Sequence, residues 1–327
     1  MGNVSLSSAP SSRASINWYS KNAWDGNLLR KNVESSESTH SQLRGSDCMP
    51  DIAFINGRFV PWQDATISID DRGFQFGDAV YEVIRTYRGT PFQLGAHLAR
   101  LERSANELFI PPPYSRTQWT RWIQHGLSLA GYQEAKIYIQ LSRGVAPREH
   151  SFPSGSQPTA IMTIRALHPL SAEIRQAGVT ACTREDLRWG RCDIKSVNLL
   201  ANVLAREEAR KAGVFEAIFI RDGHVTEGAL SNVMVVRNGV IRTAPEGPRI
   251  LSGVTRTVVL DLVTKEEIPF EEQFVSLDAL YAADEVFLTG TTLEVLGVVR
   301  IDGKTIGSGQ PGIVTRTLAA RWAILTG

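Results

Sequence analysis

Lysine is scarce in this chain, seven of 35 basic residues. One of them, Lys195, sits in Cys192-Asp193-Ile194-Lys195-Ser196-Val197-Asn198-Leu199-Leu200, a rather apolar stretch that leads into a predicted helix. An amine partly withdrawn from water has its charged form disfavoured and becomes a usable nucleophile. That is what a lysine joined to a carbonyl as a Schiff base requires. By local sequence alone, Lys195 also reads as a lysine at a helix start with its head in solvent. Further on, Val225-Thr226-Glu227-Gly228-Ala229-Leu230-Ser231-Asn232 puts a glutamate beside a glycine between two apolar strands. A pyridine nitrogen needs such a carboxylate to keep its proton while the ring acts as an electron sink. A surface hairpin glutamate is the plainer alternative. A phosphate needs backbone N–H groups at a helix start, with an arginine or small hydroxyls beside them. Leu251-Ser252-Gly253-Val254-Thr255-Arg256 and Thr289-Gly290-Thr291-Thr292 both offer this, and Arg100 could add the cation. Taken singly, each is also an ordinary cap, turn or solvated face.

These groups must be positioned by a mixture of strands and helices. Segments 52–55 and 58–62 flank Asn56-Gly57 and read as a hairpin. Segment 80–87 alternates and is β-branched, so it reads as a strand turned by Arg88-Gly89. Leu98, Leu101, Ala105 and Leu108 fall at helical spacing, which predicts a helix over 95–109, ended by Pro111-Pro112-Pro113. A second helix is predicted over 115–129 with Ser115 as N-cap. Strands follow at 136–143 and 159–164, making an α+β unit. After a connector at 166–172 come a strand (179–183), a helix (199–212) closed by Gly213, and a strand (215–220). Strands are predicted at 232–236, 240–243 and 285–288, helices at 255–264 and 312–325, and a hairpin at 298–306 around Asp302-Gly303.

The chain has 327 residues, 43% hydrophobic and 21% charged, with a formal net charge of +1. That composition is globular and excludes a disordered or collagen-like chain. Near-neutral charge lacks the footprint of a nucleic-acid binder. No apolar run reaches the roughly 18 residues of a membrane-spanning helix. Cys48, Cys182 and Cys192 form no even framework and no CxxC, so neither disulfide scaffold nor metal site is expected, and free thiols in a reducing cytoplasm are. Residues 1–48, rich in Ser, Asn and Arg, read as a disordered leader or as sequence upstream of a true start at Met49.

Taken together, the motifs resemble the class IV (fold type IV) pyridoxal-phosphate aminotransferases, over essentially everything from Ile52 on. That resemblance implies an α/β (α+β) fold of two domains. A smaller N-terminal α+β domain would span 49–167 and a larger C-terminal α/β pseudo-barrel domain 168–327, with pyridoxal 5′-phosphate in the cleft and the chain a homodimer. It implies that Lys195 binds the cofactor covalently and shuttles the proton. It implies that Glu227 pairs with the pyridine nitrogen, that Arg100, Val254, Thr255 and Thr291 hold the phosphate, and that Leu251 packs against the ring. Within the family, Asp71-Arg72-Gly73-Phe74-Gln75-Phe76-Gly77-Asp78, Arg143-Gly144-Val145-Ala146-Pro147-Arg148-Glu149-His150 and Arg188-Trp189 are most similar to the D-amino-acid branch. In that branch the residues matching Tyr81, Arg148 and His150 trap the substrate α-carboxylate, and Val83 and Thr292 are expected at the substrate. A guanidinium fork with a phenol and an imidazole suits a carboxylate.

The implied reaction is ping-pong transamination between a D-amino acid, D-alanine, and a 2-oxo acid, 2-oxoglutarate. The substrates are small molecules, and neither nucleic acid nor membrane is an expected partner. Three rivals stand beside it: a branched-chain L-aminotransferase, an aminodeoxychorismate lyase on the same scaffold, and a binding protein without catalysis. The chain departs from the family pattern at Ala229, Leu230, Gly290 and Phe74, which remove hydroxyls near the expected cofactor.

Overall fold

The structure is a computed structural model and describes residues 51–327. The expectations for residues 1–48 and for a start at Met49 lie outside the described residues. Asn56 and Gly57 both take positive φ, 47° and 88°, as a two-residue hairpin turn requires. Strand β1 (Ile52–Ile55) therefore folds back on β2 (Arg58–Val60). Pro61 cannot donate to a ladder, so β2 ends short of the predicted limit at 62, and a 3-10 turn at Trp62–Asp64 follows. Asp71 accepts from the Gly73 N–H and caps a short helix, α1 (Arg72–Phe76), which is additional to the predicted elements.

Next come β3 (Ala79–Tyr87), the left-handed turn Arg88-Gly89 and β4 (Thr90–Pro91). Helix α2 (Leu94–Glu107) and helix α3 (Arg116–Ala130) follow. Ser115 caps α3 as its sequence position predicts, and Gln118 completes a capping box with it. Strands β5 (Ala135–Ser142) and β6 (Thr159–Ala166) complete an antiparallel sheet of order β2-β1-β6-β5-β3-β4. Val80 and Ile84 of β3 pack with Phe54, Leu98, Leu101, Trp119 and Ile123 under the two helices. The alternate residues Tyr81 and Val83 therefore face the other way, into a cavity.

The chain leaves this sheet at 167–171. The second half runs α4 (Ala172–Ala177), β7 (Val179–Glu185), α5 (Leu200–Lys211), β8 (Glu216–Arg221), β9 (His224–Gly228), β10 (Asn232–Arg237), β11 (Val240–Thr243) and α6 (Val254–Lys265). It continues as β12 (Phe270–Glu272), α7 (Leu277–Tyr281), β13 (Glu285–Gly290), β14 (Glu294–Ile301), β15 (Lys304–Thr305) and α8 (Ile313–Thr326). The mixed sheet has the order β12-β11-β10-β13-β14-β7-β8-β9, with β15 on β14. It curls so that Val179, Ile218, Val225, Val233, Val286 and Leu296 share one interior core. The curl brings β9 back against β10, and the turn between them is closed by the Gly228 N–H donating to Ser231 O at 2.7 Å. The outer face of β10 and β13 (Met234, Val236, Phe287) packs on Val259 and Val263 of α6 and Leu318 and Trp322 of α8. Burial on both faces explains why these strands read as unbroken apolar runs. Helices α4 and α7 are too short to show a period, and β9 and β12 lack apolar alternation, so the sequence does not announce them. Among the described residues no helix is long and apolar enough to cross a membrane.

Candidate active site

Lys195 stands where the two sheets meet. Its carbonyl accepts from the Tyr81 N–H at 2.9 Å, its own N–H donates to Ser104 Oγ at 3.2 Å, and the Val197 N–H donates to Ala79 O at 3.0 Å. The segment is thus an added rung on the start of β3, which fixes the lysine's backbone. The side chain is half-buried, and Nζ lies 4.3 Å from the centroid of the Tyr81 ring. It has no acceptor among the described residues.

Glu227 lies on β9, buried. Its Oε2 accepts from Asn232 Nδ2 at 3.0 Å and from the Leu251 N–H at 2.9 Å, and its Oε1 accepts from Arg188 Nη1. Arg188 also grips Asp186 through Nε and Nη2, both at 2.8 Å. Burial pushes the Glu227 carboxyl up, and the Arg188 charge works against that. Burial disfavours the Arg188 cation, yet its hydrogen bonds to Asp186 and the neighbouring Glu227 charge hold its pKa above the ordinary range. Oε1 keeps a lone pair open to a further donor.

Helix α6 begins without a side-chain cap. The Val254 and Thr255 N–H groups have no acceptor among the described residues. Arg100 of α2 reaches the same place, donating from Nη1 to Ser252 O at 2.8 Å. Its Nε and Nη2 are taken by Glu82 at 2.7 and 2.9 Å, which leaves further N–H groups on Nη1 and Nη2. Burial pushes the Glu82 carboxyl up, but the Arg100 charge and the bonds from His97 and Arg100 bring its pKa down to about 2.

A cavity of about 360 Å³ collects these groups. Tyr81, Val83, Arg100, Lys195, Glu227, Leu251, Val254, Thr255, Thr291 and Thr292 all line it. Arg148 and His150 do not line it within the same chain. Both are exposed, with the Arg148 guanidinium 4.6 Å from the Phe76 ring centroid and the His150 ring 5.4 Å from it. Their loop is held from behind by Arg72, which donates from Nη1 to Glu149 O at 2.5 Å and Ser151 O at 3.3 Å. His150 lines a neighbouring cavity that shares Trp189 and Asn198 with the first.

The donor set fits pyridoxal 5′-phosphate. An open helix start with an arginine is an anion site, and Glu227 offers a buried acceptor facing the cavity. Thr289 Oγ1, also on the cavity wall, is a buried hydroxyl without a partner. Sequence reasoning misses the roles of Arg188, Asn232 and Glu82. Arg188 and Asn232 stand inside the motifs that flag the site, but only the fold turns them toward Glu227.

The family model for class IV amino-transferases matches residues 79–301. The chain belongs to the class IV aminotransferases. Curated relatives of this aminotransferase include the D-alanine aminotransferase of Bacillus licheniformis. It is 44% identical over 264 residues, covering 81% of this chain and 93% of the relative. The D-alanine aminotransferase of Staphylococcus haemolyticus is 43% identical over 265 residues, covering 81% and 94%. Among solved structures, the Escherichia coli branched-chain amino acid aminotransferase superposes with a TM-score of 0.79 at 29% identity, covering 84% of this chain and 94% of that one. The T.th. branched-chain amino acid aminotransferase, solved with pyridoxamine 5′-phosphate, gives 0.78 at 28%, covering 84% and 93%. The architecture of this class IV enzyme is therefore the α/β fold its sequence implies.

Proposed function

We propose that the chain is a pyridoxal-phosphate enzyme that transfers the amino group of a D-amino acid, D-alanine, to 2-oxoglutarate. The observation that carries this is the 44% identity with a D-alanine aminotransferase across 81% of the chain. The branched-chain reading rests on structural neighbours at 29% and 28% identity, and they support the scaffold more than the substrate. Residues 49–167 and 168–327 form the smaller and larger domains, each with a sheet of its own. The protein works in the cytoplasm, and Cys182 and Cys192 are free thiols there.

When bound, the cofactor supplies a carbonyl that accepts the amino group and a ring that spreads the charge left at the substrate α-carbon. Arg100 and the Val254 and Thr255 N–H groups would hold the phosphate, beside Thr291. Leu251, on the cavity wall, would pack against the ring. Glu227, whose carboxylate is supported against burial by Arg188, Asn232 and the Leu251 N–H, would pair with the ring nitrogen. Lys195 Nζ is free of other acceptors and takes the proton from the α-carbon as base, then returns it as acid.

Tyr81 lies beside Lys195, whereas Arg148 and His150 stand outside the cavity in the same chain. If all three bind one α-carboxylate, a second copy must bring the arginine and histidine. The proposed assembly is accordingly a homodimer in which each protomer's 148–150 loop completes its neighbour's site, beside Val83 and Thr292.

A coupled assay with added pyridoxal phosphate tests the reading. D-alanine and L-leucine are each offered with 2-oxoglutarate, alongside a Lys195→Ala control. Turnover of D-alanine, abolished in the control, is expected. Turnover of L-leucine alone would replace the reading with the branched-chain one.

A further inference from the structure

Lys136 is a cation on the cavity wall that the reaction leaves unused. It lies on β5, whose face toward the cavity also carries Tyr138 and Gln140. Register sets Arg85 of β3 directly opposite it on one side and Arg165 of β6 on the other. Three cations therefore stand in one row across the sheet. Like charges placed opposite one another in a sheet are destabilising, and the two flanking residues are neutralised. Arg85 donates to Glu134 and Glu294, both at 2.6 Å. Arg165 pairs with Asp51 at 3.6 Å. Lys136 has no ion-pair or hydrogen-bond partner among the described residues, is exposed, and lines the same cavity as Tyr81, Val83 and Lys195.

The other charges of the cavity show what this means. Arg100 is committed to Glu82, and Arg188 to Asp186 and Glu227. Apart from Lys195, Lys136 is the charged group of the wall left with no counter-ion among the described residues. Its place is two residues along β5 from Tyr138, which faces Val83, and so away from Tyr81 and Lys195. A charge there meets the far end of a substrate whose reacting carbon is at Lys195.

We propose that Lys136 is the distal-carboxylate subsite of this enzyme, pairing its ammonium with the second carboxylate of a dicarboxylic 2-oxo acid or of the amino acid made from it. The proposal rests on the transaminase reading above and adds to it the basis for accepting 2-oxoglutarate as well as pyruvate. A monocarboxylic substrate leaves Lys136 in water. A dicarboxylic one gives it the counter-ion that the row of cations lacks. Arginine in its place would keep the charge, while glutamine, one atom shorter, would stay polar and lose it.

The test compares kcat/KM for 2-oxoglutarate with kcat/KM for pyruvate, each with a D-amino-acid donor that corresponds to neither oxo acid, in the wild type and in K136Q, K136R and K136E. Because a ratio is read, a general loss of folding or cofactor cancels. K136Q is expected to lower the 2-oxoglutarate preference by about tenfold to about a hundredfold, the range set by one hydrogen bond to a charged group. K136E should lower it further and K136R should retain it. An unchanged ratio in K136Q, or equal losses on both oxo acids, overturns the subsite. A second readout needs no turnover: calorimetric binding of glutarate against butyrate to the wild-type holoenzyme and to K136Q. Glutarate should lose affinity in the variant and butyrate should not, and equal behaviour of the two overturns the proposal. If the wild type turns over no D-amino acid with either oxo acid, the transaminase reading fails, while the glutarate comparison still decides the role of Lys136.

Discussion

Glu82 and Arg100 meet in a two-point ion pair inside the protein, Nε to Oε1 at 2.7 Å and Nη2 to Oε2 at 2.9 Å, with Glu82 0% exposed. The pair joins β3 to α2, and the Arg100 Nη1 bond to Ser252 O joins both to the entry of α6. The guanidinium is therefore aimed at the entry of α6, the proposed phosphate site, by the fold itself. Substituting Glu82→Gln leaves a buried guanidinium half-matched, which costs about 3 kcal/mol or more. The expected outcome is a lower melting temperature together with a raised dissociation constant for pyridoxal phosphate. Normal cofactor affinity in a folded E82Q would show that Arg100 needs no such aiming.

The same cluster sets an acid limit. His97 Nδ1 lies 2.8 Å from Glu82 Oε2, and burial pushes the His97 pKa below its usual 6.5. The unfolded chain thus takes up a proton that the native chain refuses, and stability falls as pH drops below about 6.5. Glu82 titrates near 2 when folded against 4.5 ordinarily. Its contribution, about 3 kcal/mol, is complete above pH 4.5 and lost as pH falls toward 2. Urea unfolding at a series of pH values should show both declines, and E82Q should lack the lower one.

An interprotomer trap predicts complementation. Lys195→Ala and Arg148→Ala homodimers should each be nearly inactive on D-alanine. Exchanged subunits would form hybrids with one intact site, since in a two-fold dimer both lesions fall on the other site. A statistical mixture is half hybrids, so about a quarter of wild-type activity should return. No recovery in verified hybrids would place Arg148 on its own chain's substrate, or on none.

Gly253 precedes α6 with an ordinary φ of −73°, so backbone freedom is not the reason for glycine. A Cβ there would overlap Asn232 Oδ1. Asn232 cannot retreat cheaply, because its Nδ2 bonds Glu227 and Leu251 O at 3.0 and 2.9 Å. Overpacking of this kind costs about 1–3 kcal/mol. Gly253→Ala should therefore lower stability by that amount in denaturant unfolding and also weaken cofactor binding, because both the helix start and Glu227 shift.

Local chemistry made much of the protein legible in sequence. The Asn56-Gly57 turn, the Ser115 N-cap, the stripe of Leu98, Leu101 and Ala105, and the strand at β3 each depend on a few neighbouring residues. Their structures follow within a residue or two. Lys195, Glu227 and the start of α6 were visible because their motifs are short and contiguous. Tertiary structure decided the rest. Thr226 and Glu227 are polar yet form a buried strand, because β8 pairs with β9 and the sheet curls β9 back to β10. Arg188 becomes the partner of Glu227 across 39 residues, and Glu82 that of Arg100 across 18. The 148–150 loop, contiguous and conspicuous in sequence, is turned away from its own chain's Lys195 by Arg72 and the fold of its sheet. Propensity and spacing act over a few residues, whereas the environment that sets a side chain's charge, partner and target is assembled from strands that meet only when the chain has folded.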